Sequence, residues 1–185
     1  MNRMIRWGFA LALLPVAACS SNPTTPVAEA PPMPAVAPVD QAFVTAAAQG
    51  GMAEVQMATL AQTNARSPRV KSFANEMIKD HGAAYKQQNE ILKKASLTAS
   101  DNPVAQQITS DGKQVLSTLS GATGADFDRQ YMDAQVKQHQ QVLDSLDNKL
   151  IPGAKNAELK AHLQTIRTKV AHHLKMAQDI QGSLK

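Results

Sequence analysis

One cysteine, Cys19, stands in the 185 residues, and aromatic side chains make up only 4% of them. A single thiol can close no internal disulfide and build no thiolate metal cage, so stability has to come from packing. The aromatic shortage, together with the lack of a basic cluster interleaved with stacking residues, leaves nucleic-acid binding unsupported. The positive charge is also smaller in effect than in tally. The formal net charge is +4 and the pI about 9.3, but Arg3 and Arg6 belong to a leader, and without it 17 Lys and Arg face 15 Asp and Glu. No glycine-rich loop follows a strand, and no serine, cysteine or paired-carboxylate constellation suggests hydrolysis or acyl transfer.

What is present begins with an address. Arg3 and Arg6 form a basic start and Trp7 to Val16 a short apolar run, too short to span a bilayer. Val16-Ala17-Ala18-Cys19 resembles the lipobox at which bacterial lipoproteins are cut and acylated. The expectation is a signal over 1–18, lipid on Cys19, and retention on the periplasmic side of a bacterial membrane. Ordinary secretion with an incidental cysteine is the alternative. Ser20, in place of Asp, resembles lipoproteins sent on to the outer membrane. Residues 19–39 carry Pro23, Pro26, Pro31, Pro32, Pro34 and Pro38 and read as an extended tether, about 3.1 Å per residue where polyproline-like. Residues 40–185 are the size of one domain.

That domain reads as all-α. Phe43, Ala47, Gly50, Glu54, Met57 and Ala61 alternate steps of four and three, the seam of a first helix from Asp40, as N-cap, to Ala65. Gly50 and Gly51 each cost about 1 kcal/mol of helix propensity, which close approach of a neighbouring helix or of Tyr131 would explain. Ser67-Pro68 opens a second helix running to about Ala95, with Val70, Ala74, Met77, His81, Ala84, Gln88 and Ile91 along its seam. Leu97 to Ala125 is expected as a long crossover. It carries a small helix from Asn102-Pro103, interrupted at Asp111-Gly112, that caps the bundle. A third helix from Asp126 to Leu150 or Ile151 has Met132, Val136, His139, Leu143, Leu146 and Leu150 inward. A fourth, capped by Asn156 beyond Pro152-Gly153, has Leu159, Leu163, Ile166, Val170, His173, Ala177, Ile180 and Leu184. His162 and His172 fall off the seam and read as solvated. The result is a four-helix bundle of two antiparallel hairpins.

Each seam holds one titratable side chain: Glu54, His81, His139 and His173. One inward polar group per helix is how bundle proteins build metal or cofactor sites, and three imidazoles with a carboxylate suit one Zn, Cu or Fe ion. Asp80 and Tyr85 adjoin His81 and, with Tyr131, are candidates to orient the ligands. A buried hydrogen-bonded cluster that sets helix register is the competing reading. The His139 to His173 pairing is the weak link. Counted from Pro152-Gly153 their heights differ by roughly 10 Å.

FVTAAAQGGMAEVQMATLAQ, SPRVKSFANEMIKDHGAAYKQ, FDRQYMDAQVKQH and HHLKMA resemble the exported bacterial ferritin-like family catalogued as domain of unknown function 4142. The resemblance covers about Gln41 to Ile180, and GGMAEV, the Asp80-His81 pair and the Tyr131 to His139 spacing are its most specific pieces. It implies a ferritin-like bundle of the periplasm or outer membrane and supplies no assigned activity. Ile78, Val136 and Val170 stand three before the seam histidines, so the Glu-x-x-His pairs of a di-iron centre are missing. The function expected is a lipid-anchored, non-enzymatic binding or stress-related module of the envelope with a Glu/His core that binds one metal ion. The alternatives are a metal-dependent redox or storage protein and a purely structural or partner-binding protein, either of which could oligomerise.

Overall fold

The computed structural model describes residues 38–94 and 103–184; the expected signal, Cys19 and all but the last two residues of the tether lie outside them. Five helices follow in order: α1 (Pro38–Asn64), α2 (Pro68–Lys94), α3 (Pro103–Ser120), α4 (Gly124–Ser145) and α5 (Ala157–Gln181). The expected four-helix bundle is present, built from α1, α2, α4 and α5. None of these helices is long and apolar enough to cross a membrane.

Cross-helix contacts give the directions. Gln62 of α1 reaches the Lys71 carbonyl of α2, Glu54 of α1 meets Gln135 of α4, Glu76 of α2 meets His172 of α5, and Asp133 of α4 meets Gln181 of α5. A second contact for each pair (Gly51 with His81, Arg66 with Asp128, Arg69 with Ser183, His139 with His173) has the numbering rise on one side as it falls on the other, so all four adjacent pairs are antiparallel. That is two hairpins joined by a crossover that spans the bundle's length.

Local chemistry explains the ends. Ser67 precedes Pro68, and its carbonyl accepts the first intrahelical bond from Lys71 N at 3.1 Å. The buried Asp128 carboxylate on α4 accepts the Arg66 and Ser67 N–H groups at 3.0 and 2.8 Å, tying the first hairpin to the start of the second. Gly124, at φ 63°, opens α4 from the left-handed region that glycine enters without penalty. The Asn156 side chain accepts from Leu159 N at 3.0 Å, the expected cap. At the other end of α1, however, the helix begins at Pro38. Asp40 therefore lies within the first turn and does not cap it.

The crossover differs from expectation in two ways. α3 is unbroken through Asp111-Gly112, and it does not cap the bundle. It lies along α1, in the same direction, with Ile108 against Gly50, Gly112 against Ala53 and the Ala122 carbonyl just beyond it bonded to Asn64. A Cβ on Gly112 would come within 2.8 Å of the Ala53 Cβ. This glycine permits a close crossing and does not interrupt the helix. Gly50 likewise faces α3, while Gly51 faces His81, 3.6 Å from where its Cβ would stand. Tyr131 packs against neither; its ring lies between Phe73 and Phe127. Because α3 covers the outer side of α1, that helix buries Val44, Thr45, Ala46 and Ala48 all round.

The apolar interior comes in two blocks. One contains Met57, Phe73, Met77, Phe127, Tyr131, Met132 and Ala177, the other Val44, Leu92, Leu146, Leu159, Leu163 and Val170. Each large side chain buried there contributes about 1.5–3 kcal/mol. Between the two blocks every bundle helix places a polar side chain: Glu54, His81, Gln135 with His139, and His173. The core is thus cut by one polar layer.

Candidate metal centre

His81 is placed by α2, His139 by α4 and His173 by α5. Their ring centroids are 6.2 Å (His81 to His139), 5.6 Å (His81 to His173) and 5.5 Å (His139 to His173) apart. One nitrogen from each ring can be chosen so that all three lie within 4.8 Å of one another. The anticipated height mismatch disappears because the pivot is not Pro152-Gly153. After α4 the chain makes a π-helical turn (Leu146–Leu150) and one further turn (Ile151–Gly153) before the Asn156 cap. His139 and His173 are each 17 residues from Asn156, so they stand level.

Hydrogen bonds settle which nitrogen each ring presents. His139 Nδ1 lies 2.9 Å from the Gln135 carbonyl; a carbonyl only accepts, so Nδ1 carries the proton and Nε2 the lone pair. His173 Nε2 lies 3.1 Å from Asp80 Oδ2, which leaves its buried Nδ1 unpartnered. His81, partly buried, has a buried Nε2 with no partner. Unpaired buried nitrogens cost about 1–3 kcal/mol each unless something binds them.

The electrostatics keep two of these rings, His81 and His173, neutral. Burial lowers the His81 imidazole to about 3, with the neighbouring His139 and His173 adding like-charge repulsion against the opposing Asp80. Burial and then His139 also lower His173, offset in part by Asp80. Burial raises the Asp80 carboxyl, but hydrogen bonds from Lys169 and His173 outweigh it and hold it below its ordinary value. Three imidazoles with a carboxylate behind one of them form a nitrogen donor set for a borderline transition metal.

Glu54, the fourth expected member, is not among these donors. Gln135, one turn before His139, donates to its Oε2 at 2.7 Å, and burial raises the carboxyl against the pull of His139 and Gln135. Tyr131 is also in this region. Its buried hydroxyl has no partner, and burial plus the Glu54 charge push its pKa well up.

Three other expectations change. Asp80 orients His173, across the helix pair, and not its chain neighbour His81. Tyr85 is exposed and holds no hydrogen bond to His81 among the described residues. His162, expected in solvent, is buried with neither ring nitrogen bonded, and burial lowers its pKa; His172 is exposed, as expected. Gln135 and Glu76 lie off the seams read from the sequence. Gln135 did have a signal, because Phe127, Tyr131, Gln135 and His139 recur every four residues on one face of α4. Nothing local marks Glu76.

Comparison with known proteins gives fold and family. No curated protein matches. The structure is similar to that of a DUF305 fragment from Deinococcus radiodurans, with a TM-score of 0.72 at 15% identity, over 81% of this chain and 99% of that one. It is also similar to CopM in its Cu(II)-bound form, with a TM-score of 0.62 at 17% identity, over 79% and 97%. A family model covers most of the sequence, residues 25–180, and by that match the chain belongs to the domain of unknown function DUF4142.

Proposed function

We propose that this protein is a binding module of the bacterial envelope, tethered by lipid on Cys19, that holds one transition-metal ion in its polar layer through His81, His139 and His173. The observation that carries the reading is the convergence of three imidazoles from three helices, with buried nitrogens left unpartnered. A purely structural cluster would pair those atoms with one another or with the backbone. Glu54 stays outside the donor set as a buried acid beside it, and Asp80 holds the His173 ring in its tautomer. When bound, the ion supplies a positive charge that repays the desolvation of this layer and links α2, α4 and α5.

Zinc and copper both suit an all-imidazole set. Copper is the ion to test first: it stands highest in the affinity series for such donors, and a bundle of similar fold binds Cu(II). The placement of the donors in a packed interior favours holding an ion over turning over a substrate.

Metal analysis of protein purified without chelator, beside His81→Ala and His139→Ala, tests the reading. One equivalent of copper or zinc in the wild type, lost from both variants, is the expected result. No metal in the wild type after incubation with either ion, with both variants merely less stable, would make the layer a structural cluster.

A further inference from the structure

On the outer side of His173 stands a second set of donors that the inner triad does not use. Glu76 and Asp80 are one turn apart on α2, and Lys169, His172 and His173 face them from α5. His172 Nε2 lies 3.2 Å from Glu76 Oε1 and His173 Nε2 3.1 Å from Asp80 Oδ2. Donor atoms of Glu76, Asp80 and His173 lie within 4.8 Å of one another, so His173 belongs to both groups. Side-chain exposure falls in sequence from His172 (55%) to Glu76 (34%), Asp80 (14%) and His173 (2%). That is a graded path from solvent to the polar layer. At its mouth the ammonium of Lys169, itself 56% exposed, sits 3.0 Å from Asp80 Oδ2, where an incoming cation would bind.

We propose that Glu76, Asp80 and His172 form an outer capture site for a divalent transition-metal ion, from which the ion passes to the inner triad by way of His173. The inference rests on the inner site described above. Imidazoles buried in the interior exert little long-range pull on a hydrated dication, whereas the carboxylates of Glu76 and Asp80, nearer the surface, do. The ion displaces Lys169, whose ammonium returns to solvent with its protons, and takes His172 as its first nitrogen ligand. Copper and zinc prefer imidazole to carboxylate, so the gradient of donors favours inward movement. His173 keeps its Nε2–H on Asp80 and receives the ion at its unpartnered Nδ1, so no proton has to leave the ring.

Stopped-flow mixing of chelator-stripped full-length protein with Cu(II), followed by its visible absorption, tests this. Equilibrium affinity is measured separately by competition with a small chelator. Glu76→Gln combined with His172→Gln should slow loading about tenfold or more while leaving affinity within about threefold. Lys169→Gln should speed loading several-fold. His172 and Lys169 are exposed and Glu76 is half-buried, and far-UV circular dichroism checks that the variants fold. Wild-type loading rates in the variants, alongside wild-type binding that His139→Ala abolishes, would overturn the capture site and leave the inner site standing. A wild type that takes up no Cu(II) would overturn both.

Discussion

Lowering the pH from 7 to 5 should cost the metal-free protein stability, and the depressed pKa of His81 sets that residue's share of the loss. The unfolded imidazole titrates near 6.5 and the folded one at about 3. At pH 5 the unfolded chain therefore gains about 2 kcal/mol by binding a proton the folded state refuses, against about 0.2 kcal/mol at pH 7. The sign follows from the depressed folded value: the stability is present above 6.5 and is lost as pH falls toward 3. His173 and His162 are lowered by burial in the same sense and enlarge the loss. Glu54 works in the opposite direction, because its raised carboxyl holds a proton in the folded state that the unfolded chain releases above about 4.5. Asp80, lowered from 3.8, acts only below this window. Because Glu54 offsets part of the loss, the comparison of wild type with a His81 variant isolates the His81 contribution. Urea unfolding in the presence of chelator at pH 7, 6 and 5 measures it, and His81→Gln should remove about 2 kcal/mol of the difference. An unchanged pH dependence in the variant would refute the electrostatic account of the polar layer.

Two further outcomes follow from single contacts. Gln135→Leu leaves the buried Glu54 oxygen without its donor and should cost about 1–3 kcal/mol, with Glu54→Leu in the same background restoring most of it; urea midpoints of the single and double variants decide this. Gly112→Ala should destabilise despite its better helix propensity, by about 1–3 kcal/mol from overpacking against Ala53. Gly82→Ala, where an added Cβ meets nothing within 4 Å, should instead gain up to about 1 kcal/mol; a thermal melt that ranked the two the other way round would contradict the crossing described for α1 and α3.

Several features of this protein are legible along the chain, because they depend on neighbours within a turn or two. Ser67-Pro68 and Asn156 start helices where their side chains and backbone say they should. The four-three alternation places His81, His139 and His173 inward, since each of these helices buries the stripe on which its apolar residues fall. Even the di-iron exclusion needs no coordinates, as Ile78, Val136 and Val170 occupy the positions the carboxylates would need.

Periodicity gives the angle at which a side chain leaves its helix; it says little about how high that helix stands beside the next, or which partner lies across the gap. Those were decided by packing. A π-helical turn and an extra turn after α4 brought His139 level with His173. The approach of α4 to α1 put Gln135, not an imidazole, against Glu54. The meeting of α2 with α5 gave Asp80 to His173 and buried His162. α3 lies along α1 because Gly112 lets the two backbones come close, and no local rule distinguishes that glycine from one that ends a helix. What the order of residues determined alone was which groups enter the interior; which of them touch there depended on how far the helices slide and turn against one another, a choice made by contacts between residues far apart in the chain.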